Sequence, residues 1–243
     1  MPAQGTLEHS KRRCALVGAV DFNAQHFLNQ HFDYVIAVDR GFAQLQEIGA
    51  TPDCVVGDFD SLGFVPEERD VRVFPSEKDE SDMELACRIA CEQADELLLY
   101  GCLAQRLDHT LANLQLMSGL AAEDVHIVGI GDSFAVTAIH GGNAAHTSDR
   151  EPEPTRRLLF NAAPLSAFTG DYGPYISVFP FGGVAEGVTI EGLKYEISNV
   201  TLPAAGTLGL SNEFTGRPAC VEVANGTLLI TFPLEAWSYL QNT

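Results

Sequence analysis

The chain is poor in positive charge. It has only three lysines, Lys11, Lys78 and Lys194, and its 14 lysines and arginines face 33 aspartates and glutamates, a formal net charge of −19. That balance argues against a nucleic-acid partner, which asks for a basic surface. It also means that repulsion of any phosphate ligand must be cancelled locally, by a metal ion and a few well-placed bases, and this singles out Lys78 among its acidic neighbours. Long apolar runs are missing as well. None nears the roughly 18 residues of a membrane span, and the polar start, Met1 to Arg13, lacks the apolar stretch of a secretory signal; a cytoplasmic protein with no membrane partner is expected. The six cysteines, Cys14, Cys54, Cys87, Cys91, Cys102 and Cys220, form no Cys-x-x-Cys. Most sit in apolar surroundings, so reduced core thiols are expected rather than a disulfide framework. No Gly-x-x-x-x-Gly-Lys-[Ser/Thr], Gly-x-Ser-x-Gly or His-Glu-x-x-His occurs, and Gly129-Ile130-Gly131 lacks the third glycine of a dinucleotide fingerprint.

What is present is a core. With 243 residues and 46% apolar content, two domains are expected. From residue 12 to 140, short apolar runs alternate with helical stretches, the pattern of βαβ units and a doubly wound, mainly parallel α/β sheet. Strands are expected at 14–20, 34–38, 54–56, 71–74, 97–100 and 125–128. Helices are expected at 23–30, 41–48, 81–93 and 108–120. From 141 to 174 the texture changes to Gly, Pro, Ser and charge, centred on Glu151-Pro152-Glu153-Pro154, and reads as a linker or excursion. From 175 to 243, short alternating strands at 176–179, 184–190, 195–197, 207–210, 219–223 and 227–232 predict a smaller all-β antiparallel sandwich. Asn225-Gly226 is a hairpin signal there. No internal repeat is visible.

Acids and bases gather where the expected parallel strands end. Gly57-Asp58-Phe59-Asp60-Ser61 follows one strand; two carboxylates two apart in an extended segment project to one side and can face one ion, or the motif is a tight turn whose aspartates cap backbone amides. Mg²⁺ prefers such hard oxygen ligands and takes one or two carboxylates with phosphate oxygens. Ser81-Asp82-Met83-Glu84 fits a capping box, which leaves Asp82 free to face the crevice, while the helix start beside Lys78 suits a phosphate. Arg106, in the run Gly101 to His109, can clamp phosphate bidentately, and Asp108 can cap a helix or bind metal; the plain reading is a surface arginine and an N-cap. Asp39 ends another strand.

Together these motifs resemble the thiamine pyrophosphokinase family. The similarity is carried by Asp39-Arg40-Gly41, Gly57 to Ser61, Lys78-Asp79-x-Ser81-Asp82-x-Glu84 and Gly101 through Arg106-x-Asp108-His109 with Asn113. In the β half it is carried by Gly192-Leu193-Lys194-Tyr195 and Leu210-Ser211-Asn212-Glu213. The resemblance implies transfer of pyrophosphate from ATP to the hydroxyl of thiamine, giving thiamine diphosphate and AMP, in a homodimer. It implies Asp58, Asp60 and Asp82 as Mg²⁺ ligands with Asp108 in the same cluster, and an ATP site of Asp39, Lys78, Asp79, Arg106 and Asn113. Ser211 and Asn212 match the thiamine side, and Asp82 or Asp108 could accept the hydroxyl proton. The chain departs from the pattern at Ser81, where threonine is usual, at Arg40, where a small residue is common, and at 228–231, where some members stack a tryptophan; Trp237 lies further on. A hydroxymethylpterin-type acceptor and a non-catalytic nucleotide-binding module are the competing readings.

Overall fold

The computed structural model describes residues 11–60, 62–103, 106–142 and 155–241. Ser61 of the acidic motif and the Glu151 to Pro154 centre of the expected linker lie outside them. Six apolar runs form the parallel part of a ten-stranded sheet: β1 (Arg13–Val17), β2 (Tyr34–Val38), β3 (Cys54–Gly57), β4 (Val71–Val73), β5 (Glu96–Tyr100) and β6 (His126–Ile130). Every residue of β3 and β5 is buried, as expected of parallel strands covered on both faces. Helices α1 (Ala24–Leu28) and α2 (Gly41–Glu47) send Phe27, Phe42 and Leu45 into the core on one face. On the other face α3 (Asp82–Gln93) and α4 (Leu107–Ala122) bury Met83, Ala86 and Met117. This is the doubly wound arrangement the alternation predicts.

The large sheet then crosses the boundary expected near residue 140. Strand β7 (Phe134–Gly141) turns back antiparallel to β6, and β14 (Gly226–Pro233), β9 (Tyr175–Pro180) and β12 (Asn212–Glu213) continue the sheet from it. A four-stranded antiparallel sheet, in the order β11 (Ile197–Leu202), β10 (Ala185–Glu191), β13 (Ala219–Val223) and β8 (Arg156–Phe160), makes the second layer. Leu228, Ile230 and Phe232 of β14 share a core with Val188, Ile190 and Val221 of the small sheet, while Leu229 belongs to the opposite face with α4. The alternation of side chains along β14 thus makes one strand serve both layers.

Several stretches differ from expectation. The expected linker supplies β8, which pairs with β13 along its length; the adjacent Arg156 and Arg157 hide a strand whose buried residues are Leu158 and Phe160. Strand β7 is buried on both faces, and Thr137 and His140 interrupt its apolar run. Residues 207–210 form a turn in which Leu208 and Leu210 stay exposed and the Gly209 carbonyl accepts from the Val178 amide (2.9 Å). Asn225-Gly226 closes no hairpin, because β13 and β14 lie in different sheets. All six cysteines are unpaired, with Cys91 exposed. Among the described residues no helix is long and apolar enough to cross a membrane.

Candidate active site

From β1 the chain winds to β2, β3 and β4 on one side and then to β5 and β6 on the other. In open α/β sheets ligands bind beyond the carboxyl ends of the strands at such a reversal. Two glycines shape it. A Cβ on Gly18, after β1, would sit 2.6 Å from the carbonyl oxygen of Gly101, after β5, so the two backbones approach as only glycine permits. The sequence reading did not single out Gly18, for no motif marks it.

Asp39 leaves β2 with φ +49 and Phe59 follows β3 with φ +61, a left-handed conformation that costs a bulky residue of order 1–2 kcal/mol. Phe59 offsets this by burying its ring, 2% exposed, in the core. Asp58 and Asp60 flank that anchor, the first half-buried and the second exposed. The segment is therefore a turn and not the extended backbone expected, and Asp58 Oδ1 accepts the Asp60 amide (3.1 Å), as the turn reading foresees. Gly57 leaves room for Asp39, whose Oδ1 would stand 2.1 Å from a Cβ at that position.

Asp39 and Asp82, the latter opening α3, are in side-chain hydrogen-bond contact. Burial first, then the charge and contact of Asp82, and last the charge of Asp58 push the Asp39 carboxyl up to about 6. Three of the predicted acids are thus brought together. Lys78 Nζ donates to Asp82 Oδ1 at 2.6 Å and to the Pro75 carbonyl at 3.2 Å. Ser81 caps α3 by accepting the Glu84 amide (3.1 Å); Glu84 pairs with Arg88, so only half of the capping box forms. Asp79 is exposed in the turn before the helix.

Arg106 and Asp108 do not join this group. They form a bidentate pair with each other (2.9 and 2.6 Å), with side chains 64% and 65% exposed, and Arg106 holds the Asp108 carboxyl well below its usual range. Asn113 is buried on α4 and donates to the Cys102 carbonyl (2.8 Å), so its amide fixes the loop that follows Gly101.

The residues of the β half lie elsewhere. Buried Asn212 accepts the Tyr195 amide (2.9 Å) and donates to the Tyr195 carbonyl (2.7 Å). Its side chain is spent on clamping that turn, and the ring it presents, Tyr195, is 59% exposed with Lys194 Nζ 5.4 Å from its centroid. Tyr195 is a candidate that the sequence motif contained without ranking it. Ser211 has φ +56 and donates its amide to Ser177 Oγ (3.0 Å). Asn212 is on β12 and Asp39 directly follows β2, strands seven apart in the sheet order, which at the usual strand spacing is roughly 30 Å. Trp237 rests edge-on against His26 of α1 (5.6 Å) and is part of that packing.

The crevice suits a nucleotide-borne cation better than a resident one. Asp39 and Asp82 crowd two carboxyl groups with Asp58 close by and one lysine to answer them, a set that a hard cation would relieve. Among the described residues no group of three or more side chains is already gathered to hold a metal. Mg²⁺ needs only one or two carboxylates when phosphate oxygens and water complete its shell, so the residues fit. A hollow of about 400 Å³ lies instead at the amino ends of β5 and β6, beside Asp95 and His126; its arginines, Arg156 and Arg157, are taken by Asp124 and Glu222.

Comparison with known proteins decides what this arrangement belongs to. The model of the thiamin pyrophosphokinase catalytic domain matches residues 25–129, and that of the thiamin pyrophosphokinase vitamin B1 binding domain matches residues 167–228. The chain belongs to the thiamin pyrophosphokinase family. Thiamine pyrophosphokinase of Bacillus subtilis strain 168 is 28% identical over 202 residues, covering 80% of this chain and 85% of that one. A crystal structure of thiamine pyrophosphokinase from Bacillus subtilis superposes with a TM-score of 0.72 at 23% identity, over 92% of this chain and 99% of the other. The Geobacillus thermodenitrificans thiamin pyrophosphokinase structure gives 0.70 at 26%, over 91% and 97%. The Candida albicans enzyme keeps the fold, at 0.68, with 13% identity over 92% and 89%. Within this family the catalytic-domain match spans Asp39 through Asn113, and the B1-binding match spans Tyr195, Ser211 and Asn212.

Proposed function

We propose that the chain transfers the pyrophosphoryl group of ATP to the hydroxyl of thiamine, releasing thiamine diphosphate and AMP. The activity is that of a thiamine pyrophosphokinase. The observation that carries the site assignment is the convergence of Asp39, Asp58 and Asp82 with Lys78 beside the Gly18–Gly101 crevice. Asp58, Asp60 and Asp82 hold Mg²⁺, which when bound supplies the charge neutralisation that this transfer needs more than covalent help. Asp39 positions Asp82 through their shared contact. Lys78 and Arg106 take phosphate oxygens, the arginine through the planar fork it now offers to Asp108. Asn113 acts on ATP through the loop it fixes, and Asp79 lies beside Lys78 at the mouth.

Ser211, Asn212 and Tyr195 form the thiamine side. The separation of roughly 30 Å within one chain supports a homodimer in which the thiamine side of one copy faces the acids of the other. Incubating the protein with Mg-ATP and thiamine tests the reading: AMP and thiamine diphosphate in equal amounts are expected. ADP would indicate a simple kinase, turnover of a hydroxymethylpterin in preference to thiamine would change the acceptor, and no turnover with tight nucleotide binding would make the chain a binding module.

A further inference from the structure

Lys78 stands in an unusual position for a phosphate ligand. Its ammonium is not held out toward the crevice but turned onto Asp82, at 2.6 Å, with both side chains mostly buried, 13% and 21% exposed. They stand four positions apart, yet α3 begins only at Asp82, so this is not the helical i,i+4 pair that commonly decorates exposed faces. The lysine reaches back from an irregular turn whose Pro75 carbonyl takes a second of its protons. Asp82 is also the residue that touches Asp39. The ammonium therefore sits on the most crowded carboxylate of the acidic group, where the site as read above puts a divalent cation.

Leaving that position requires little of the fold. Residues 74–81 join β4 to α3 with no regular structure, and no ladder or helix hydrogen bond depends on Lys78. Its stem is long and its head a compact charge with rotatable donors, suited to exchanging one anionic partner for another. Arg106, the other base of the site, has a partner of its own outside the group.

We propose that Lys78 is a stand-in for the divalent cation: it neutralises Asp82 while the crevice is empty and passes to the phosphates when cation and nucleotide arrive together. Resting on the site reading above, this goes beyond it by assigning a coupling. A bare cation must compete with Lys78 for Asp82, whereas a nucleotide gives the displaced ammonium a new partner. Cation and nucleotide each strengthen the other's binding beyond their own contact, and the extra coupling resides in one side chain. Coupling of this kind is reciprocal.

The test is cation binding rather than turnover. Mn²⁺, followed by the loss of its free-ion paramagnetic resonance signal, is titrated into the full-length protein without nucleotide and again with ATP. Lys78→Met should bind Mn²⁺ about tenfold more tightly than the parent when nucleotide is absent, and the gain in Mn²⁺ affinity that ATP brings should shrink by a similar factor. Lys78→Gln gives the same comparison if the methionine variant does not fold. Asp82→Asn in the Lys78→Met background should lose the added affinity. Unchanged Mn²⁺ binding in both lysine variants, with binding still lost in Asp82→Asn, would overturn the stand-in and leave the site reading intact. Mn²⁺ and Mn-ATP binding indifferent to Asp82→Asn would overturn both.

Discussion

At the amino end of the large sheet Glu96 opens β5 with 3% of its surface exposed, and both neighbouring strands answer it. Arg13 at the start of β1 pairs with one oxygen, and His126 at the start of β6 lies 2.8 Å from the other. Burial pushes the Glu96 carboxyl up, but His126 and Arg13 outweigh it and hold it below its ordinary value. At the carboxyl end, Asp39 is less buried yet is raised to about 6, because its burial is reinforced by the Asp82 carboxylate beside it where that of Glu96 is outweighed. A chain with 33 acids and 14 bases has given a buried structural carboxylate an arginine and a histidine and left three crevice acids with a single lysine. The difference separates charges that hold the fold from the crevice acids that we propose await a ligand.

The sharpest way to break this comparison is to remove one of the awaiting acids. Asp58→Asn or Asp82→Asn should lower kcat by about 10²-fold or more, near 3 kcal/mol of transition-state stabilisation, with the melting temperature of the Asp58 variant unchanged. Near-normal turnover at saturating Mg²⁺ would return both residues to turn and helix-cap chemistry.

The amino end should respond in the opposite sense. Glu96→Gln leaves Arg13 without its counter-charge and should cost about 3 kcal/mol of stability, as breaking a buried pair does, while the remaining folded enzyme turns over normally. A depressed carboxyl contributes stability that is present above its ordinary value of 4.5 and lost as pH falls through the lower folded value. The denaturation midpoints of parent and variant should therefore converge in acid. A variant that stays equally destabilised there would show that shape, not charge, matters at Glu96.

Asp39→Asn tests the same contrast with a smaller effect. A carboxyl raised from 3.8 to about 6 makes the folded protein lose stability as pH climbs between those values, with the full penalty above the higher one. In metal-free buffer at neutral pH the variant should be more stable by about 1–2 kcal/mol, after discounting for the solvent screening of a half-exposed group, and this gain should vanish near pH ~4. It should also be a poorer enzyme, the usual exchange of function for stability at a strained site. No gain at neutral pH would mean that Asp39 is already compensated.

Much of this was legible in the sequence. Strand β2 and strand β13 begin and end where periodicity puts them, since both are short apolar runs bounded by turn residues. Asp39, Asp58 and Asp82 were legible as strand-end and helix-start acids. What stayed hidden depends on long-range contact. Strand β8 is pinned by β13, some sixty residues away, and no local pattern encodes that pairing. The Gly18–Gly101 approach joins residues that only the sheet order makes neighbours. Arg106 and Asp108 looked like partners of the acidic group, but a pair two residues apart can satisfy itself first. Asn212 looked like a ligand because its motif matches the family's thiamine side, and only the fold shows its amide already occupied.

That last point yields a prediction for the thiamine side, the smallest of the set. If groups satisfied within the protein are structural and groups left unsatisfied are functional, Asn212 and its neighbour should separate. Asn212→Ala removes hydrogen bonds to the Tyr195 amide and carbonyl and should cost about 1–3 kcal/mol of stability. Tyr195→Ala removes an exposed ring that already has a cation near its face, a surface suited to the positively charged thiazolium of thiamine. Loss of one such aromatic contact is worth about 1 kcal/mol, so KM for thiamine should rise roughly fivefold to tenfold while KM for ATP and the melting temperature hold. Tyr195→Phe should restore most of the affinity, because the face and not the hydroxyl makes the contact. An equal rise in both KM values, or no rescue by phenylalanine, would place Tyr195 among the structural residues and remove the aromatic platform from the thiamine side.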